Sequence, residues 1–174
     1  MKRKYLAALL ALTLLFGLSL PAAAEELLDT PETIHITSAE EFLTFAENCV
    51  LDSWSQNKQV LLTADISLEE TDFASIPTFG GSFDGGGHTI SGLSLTQSLS
   101  PAGLFGVLQP TAVVKNLTVK GIVAPGGDGL SVGGVAGENY GTVENGTFIG
   151  TVVGKTNTGG IAGMNYGTLR ACRV

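Results

Sequence analysis

The chain has 174 residues, with 16 Asp and Glu against nine Lys and Arg, a formal charge of −7, 24 glycines and two cysteines. This length suits one domain, and two cysteines do not make a disulfide framework. An acidic balance argues against nucleic acid or an anionic membrane surface as partner, since both require a basic footprint.

The first residues read MKRKY, followed by a mostly apolar stretch from Leu6 to Leu20 and then Pro21-Ala22-Ala23-Ala24. A positive start, a short apolar middle and an A-x-A end predict a secretory signal peptide over residues 1–24, cleaved after Ala24. The apolar stretch is shorter than the roughly 20 residues that span a bilayer. Processing leaves six basic residues against sixteen acidic ones, a net charge of −10, and no second hydrophobic span. The expected location is therefore secreted or cell-surface, without stable membrane insertion.

Between Glu25 and Phe79 there is no glycine, and twelve of the sixteen acids lie there; from Gly80 onward there are twenty-three glycines and four acids. The shift separates a capping segment, placed at residues 25–58, from a turn-dense coil over residues 59–174. In the first part Thr33 to Thr37 alternates with a period of two and predicts a short strand. Ser38-Ala39-Glu40-Glu41 forms a capping box, in which the Ser38 hydroxyl accepts from the Glu41 amide while the Glu41 carboxylate reaches back. Phe42, Leu43, Ala46, Cys49 and Val50 follow at helical spacing, which predicts a helix over about residues 39–51. A single amphipathic helix ahead of a coil serves to cover its exposed apolar end. Gln59–Thr63 and Ile66–Leu68 then read as the first strands of the coil, with Glu69, Glu70 and Asp72 in the loop after them.

From Phe79 the pattern becomes FGGSFDGGGHTISGLSL. Asp84 with Gly85, Gly86 and Gly87 predicts a structural turn, where glycine tolerates positive φ and the aspartate bonds its own backbone. Thr89–Ile90 and Leu93–Leu95 are short strands beside it. Gly133–Phe148 (GGVAGENYGTVENGTF) then recurs twenty-six residues later as Gly159–Val174 (GGIAGMNYGTLRACRV), with eight of sixteen positions identical. A period of this length marks one supersecondary unit, stacked on its neighbours because it cannot bury its apolar side alone. Residues 103–132, 133–158 and an incomplete 159–174 are read as three such units. The first lies over the second by Gly106 on Gly137 and again by Asn116 on Asn145, with a two-residue slip in the turn between.

GLFG at Gly103–Gly106, GGVAGENYGTVENG at Gly133–Gly146 and GGIAGMNYGTL at Gly159–Leu169 resemble the GLUG motif of bacterial secreted and surface proteins. FDGGGHTISGL at Phe83–Leu93 is similar to the segment that leads into those repeats. The resemblance implies an all-β fold, a parallel β-helix, in exported proteins that include long adhesin-like chains and the N-terminal regions of immunoglobulin A-directed metalloproteases. The expectation is a parallel β-solenoid, right-handed by the strong bias of parallel crossovers, with a small N-terminal α/β cap. Where related coils carry Asn-Cys, this chain has Asn145-Gly146 and then Ala171-Cys172, which interrupts any cysteine or asparagine ladder at the last unit.

Chemistry-bearing patterns are few. Gly129-Leu130-Ser131-Val132-Gly133 matches G-x-S-x-G, but a nucleophile elbow needs a following helix and a later histidine, and none follows His88. Asp84 and His88 lack the paired carboxylates or basic cluster of a polysaccharide-cleaving site. His35 and His88 are isolated, and Pro125–Gly129 lacks the repeated aspartates of a calcium-binding coil, so no metal, cofactor or catalytic residue is expected. Asn116-Leu117-Thr118 and Asn145-Gly146-Thr147 fit a glycosylation acceptor, yet their matched positions predict stacked structural asparagines. Cys49 and Cys172, in the cap and the last unit, lie too far apart to pair.

Asn139-Tyr140 over Asn165-Tyr166 is the candidate binding feature. In register, equivalent residues of adjacent coils lie about 4.8 Å apart and form ladders. One reading is that the amides bond along the stack and the rings pack on each other to stabilise the fold; the other is an aromatic strip for sugar or peptide, with apolar faces and hydroxyl tips. The expected function is a non-enzymatic exported scaffold or adhesion module presenting glycan or protein partners with a solenoid face, as the N-terminal part of a longer protein. A continuation or a partner would cover its open last coil. A polysaccharide lyase or hydrolase, or the non-catalytic front of a secreted metalloprotease, is the alternative, because fold alone does not choose.

Overall fold

A computed structural model describes residues 31–174; the leader expected over residues 1–24 lies outside them. Glu32–Val174 is one compact unit, a parallel β-solenoid of about five turns. It opens with β1 (Glu32–Ile36), the single helix α1 (Ala39–Asn48), β2 (Lys58–Leu62) and β3 (Ile66–Ser67). The next coil is β4 (Ile76–Phe79), β5 (Ser82–Asp84) and β6 (Thr89–Leu95). A further coil follows with β7 (Phe105–Leu108), β8 (Val113–Lys115) and β9 (Thr118–Val123). Then come β10 (Val132–Gly133), β11 (Ala136–Asn139), β12 (Thr142–Glu144) and β13 (Thr147–Val152), and finally β14 (Thr158–Gly159), β15 (Ala162–Asn165) and β16 (Thr168–Arg170).

Each of the three coils from β4 to β13 contributes one strand to each of three faces, and every pairing between coils is parallel. One face runs β1-β2-β5-β8-β12-β16, a second β4-β7-β11-β15 and a third β3-β6-β9-β13, while β10 and β14 make a short fourth ladder. Pairing begins at β1, where Ile34 lies opposite Val60, so the ladder opens a rung before Gln59. The twenty-six-residue repeat is observed as Ala136 on Ala162, Thr142 on Thr168 and Val132 on Thr158. The slip is also observed. Leu108 pairs with Asn139, while Val113 pairs with Thr142, so the four residues 109–112 face the two residues Tyr140 and Gly141.

Alternation along each strand sends one side chain inward and the next outward. On the first face the inward column is Val60, Phe83, Val114, Val143 and Leu169; on the third it is Ile66, Ile90, Val119 and Phe148. The core is one continuous apolar cluster from Ile36 to Ile161.

The helix differs from expectation in two ways. It ends at Asn48 rather than Leu51: the Val50 and Leu51 amides bond only three residues back, to the Glu47 (3.3 Å) and Asn48 (3.4 Å) carbonyls, and the Asn48 side-chain amide turns back to the Thr44 carbonyl (2.9 Å). Its buried face is Phe42, Phe45, Ala46 and Cys49, not one that includes Leu43 and Val50; Val50 is 65% exposed. Phe45 is the central contact, its ring 5.9 Å from both Phe79 and Phe83. At the other end Ser38 accepts from the Glu41 amide (3.2 Å) as expected, but the Glu41 carboxylate accepts from the Thr37 amide and hydroxyl, both at 2.7 Å. Chiefly through that amide bond, the Glu41 carboxyl is held below its ordinary range.

Candidate functional site

The Asn-Tyr pair sits where β11 and β15 end and the chain turns toward the first face. Asn139 lies in an inward position, in the column Phe79, Leu108, Asn139, Asn165, and is completely buried. A buried amide must be fully bonded. The Asn139 amide group donates to the Asn165 side-chain oxygen (2.7 Å), and its own oxygen accepts from the Gly141 backbone amide (3.1 Å). Directly beyond, the Tyr140 and Tyr166 rings stack with centroids 5.0 Å apart and planes 13° from parallel. The corner beneath them is tight: a Cβ on Gly167 would stand 2.0 Å from the Gly141 carbonyl oxygen.

The stack limits what the pair can bind. Its facing ring surfaces are occupied by each other, so what the pair offers is its ring edges, its hydroxyls and the outer surface of the more exposed Tyr166 ring. Tyr140 is 40% exposed and Tyr166 is 62% exposed. The Tyr140 hydroxyl donates to Glu138 (3.3 Å), whose other carboxylate oxygen accepts from the buried Ser131 hydroxyl (3.1 Å). Desolvation, and next the Glu138 charge, push the Tyr140 phenol above its ordinary value, so it remains a neutral donor. Glu138 and Ser131 were not part of the expected strip; Glu138 joins it because it lies two residues before Tyr140 and so on the same side of the chain, and Ser131 joins through its hydroxyl bond to Glu138. Ser131, the serine of the G-x-S-x-G match, lies just before a strand with no helix after it, whereas a nucleophile elbow is a strand-turn-helix.

The Asp84 turn lies two coils away. Asp84 accepts from the Gly86 amide (3.0 Å), with Gly86 and Gly87 at φ 60° and 81°. It also accepts from the Asn116 side chain (3.0 Å) and pairs with Lys115 (3.2 Å), its register partner on β8. Burial pushes its carboxyl up, but the Gly86 amide, Asn116 and Lys115 outweigh that and hold it below the ordinary carboxylate range. One basic residue, Lys115, therefore accompanies Asp84, a single cation rather than a cluster. The same column continues through Glu144 to Arg170, so that acid and base alternate down the stack. His88 meets Asp65 (3.2 Å), which also accepts from the Thr89 amide (2.9 Å). Asp65 was overlooked because it belongs to the preceding coil, where no repeat fixes the register.

Asn116 and Asn145 stack as expected, with the Asn145 amide donating to the Asn116 oxygen at 3.1 Å. Both adopt left-handed backbone, φ 54° and 52°, and Ala171 follows them at φ 50°. Cys49 and Cys172 are both free; burial pushes the Cys49 thiol up to about 12. Among the described residues no group of three or more His, Cys, Asp or Glu is placed to hold a metal, and no helix is long and apolar enough to cross a membrane.

No family model matches the chain, and no solved structure matches it. It is similar to halomucin of Haloquadratum walsbyi, at 36% identity over 142 aligned residues covering 72% of this chain. The chain spans about 2% of the length of halomucin.

Proposed function

We propose that the chain is a non-enzymatic β-solenoid module of an exported, surface-associated or secreted protein, built from GLUG-type repeats and presenting its faces to glycan or protein partners. The observation that carries this reading is where its polar side chains are engaged. Asn139 with Asn165, Asn116 with Asn145, Asp84 with Lys115 and Tyr140 with Tyr166 each bond or stack on the neighbouring coil. Groups engaged in holding coil to coil serve a scaffold. The similarity to a stretch that is a small fraction of halomucin supports a module of a longer exported chain, and the apolar leader supports export.

The alternating column Asp84, Lys115, Glu144, Arg170 is the feature nearest to a polysaccharide-cleaving site. Its acids are paired with cations along the stack, and Asp84 stays ionised, which suits a register device better than a proton donor. Three measurements test the reading. Fractionation of the producing cell should place the protein at the surface or in the medium. A glycan and surface-protein binding screen should yield a ligand whose affinity falls in Tyr140→Ala/Tyr166→Ala. Release of oligosaccharides from acidic or neutral polysaccharides, abolished by Asp84→Asn, would replace the scaffold with an enzyme.

A further inference from the structure

The opening coil differs from the others at one position. Where later coils place β4, β7, β11 and β15, it places α1, between β1 and β2. A helix has no free backbone groups along its side to continue a ladder, so β4 is left as the edge strand of its sheet. Between helix and edge runs an open groove of about 320 Å³. Leu43 and Val50 line it from the helix side, Phe73 and Pro77 from the strand side, and the carboxylates of Glu47 and Asp72 also line it; no lysine or arginine does. Past Val50 and Pro77 the depression continues as a shallower trough of about 590 Å³ that includes Asp52. Because α1 stops at Asn48, Val50 and Leu51 stand 65% and 66% exposed rather than folded beneath it. Ser75, also lining the groove, holds φ 154°, a strained value for a residue with a side chain, through a 2.7 Å bond from its hydroxyl to the Gly103 carbonyl.

We propose that this groove docks a peptide segment of a partner protein bearing one bulky apolar side chain next to a lysine or arginine. The volume suits a single large side chain, and an aliphatic and aromatic lining anchors it. Carboxylates contributed by both the helix and the strand side select a cation beside that anchor and disfavour an acidic segment. A sugar would find few of the polar partners that a carbohydrate site supplies. The groove shares no residue with the tyrosine column, so the two surfaces are separable.

The test uses the purified protein and short fluorescein-labelled peptides with a central Leu, Ile or Phe flanked by Lys or Arg. Matched peptides carry Glu for the cations or Ser for the central residue. Fluorescence anisotropy should show binding by the basic apolar peptides only, weakening with salt. Affinity should fall at least about tenfold in Glu47→Lys/Asp72→Lys and in Val50→Asp, and stay unchanged in Tyr166→Ala. All of these are exposed side chains, and melting curves recorded alongside separate lost binding from lost fold. Binding by none of the peptides, binding indifferent to the cations, or full affinity in the groove variants overturns the proposal. So does peptide-free self-association abolished by Glu47→Lys, which would assign the groove to a second copy of this chain.

Discussion

The coils beside α1 are filled with clustered aromatic rings, while those after Gly133 hold one buried ring, Phe148, among aliphatic side chains and the Asn139–Asn165 pair. Phe45, Phe79, Phe83 and Phe105 form a connected set with centroids 5.4 to 6.3 Å apart. In the column that starts with Phe79, the same inward position becomes Leu108, then Asn139, then Asn165. The ladder of the first face runs through both regions, from β1 to β16. Coil geometry is therefore set by parallel pairing and tight corners, and the interior can be completed either by apolar volume or by a fully bonded polar chain.

Substitutions at the two ends of that column test this contrast most severely. Phe79→Ala should cost about 3–5 kcal/mol, the loss expected for a buried ring with a residual cavity, read from denaturant unfolding. Asn139→Ala should cost about 1–3 kcal/mol, because the buried Gly141 amide loses its acceptor and the tie to Asn165 on the next coil is lost. If apolar volume alone mattered there, Asn139→Leu, which copies Leu108, would recover the loss; the expectation is that it does not. An Asn139→Leu protein as stable as the parent would erase the distinction between the regions.

Smaller effects sharpen it. Ala171→Asn should raise stability by about 0.5–1 kcal/mol, since asparagine tolerates the left-handed backbone that alanine resists, and it would extend the Asn116–Asn145 ladder by a rung. Lys115→Met should cost about 0.2–1 kcal/mol at neutral pH and less in acid. The sign follows from Asp84. Its folded carboxyl lies below its unfolded value, so its contribution is fully present above the ordinary range near about 4 and is lost as pH falls through the depressed folded value. Asp84→Asn should flatten the acid limb of the stability profile, and an unchanged limb would remove Asp84 from the column's energetics.

What was legible in the sequence is what repeats. The offset of twenty-six residues, the slip between Gly106 and Asn116 and the stacking of Asn139 and Tyr140 on their counterparts all follow from copies laid over one another, while the turn after Asp84 follows from its local run of glycines. What was hidden lies where copies stop resembling each other. No repeat marks β1 as a rung, because a helix follows it where other coils have a strand. Phe45 was missed because periodicity alone let Leu43 and Val50 compete for the same face, and only the contact with Phe79 and Phe83 decides among them. The pairs Asp84–Lys115 and Asp65–His88 depend on registers between unlike coils, which no internal alignment supplies.

The surplus at residues 109–112 is confined to one corner. On either side of it Gly80–Gly81 and Tyr140–Gly141 make the same bend with two residues fewer, and by Val113 all three coils are again in step. An insertion there changes the outline of the molecule without disturbing a rung, which makes this bend a natural graft point for an epitope or a foreign loop.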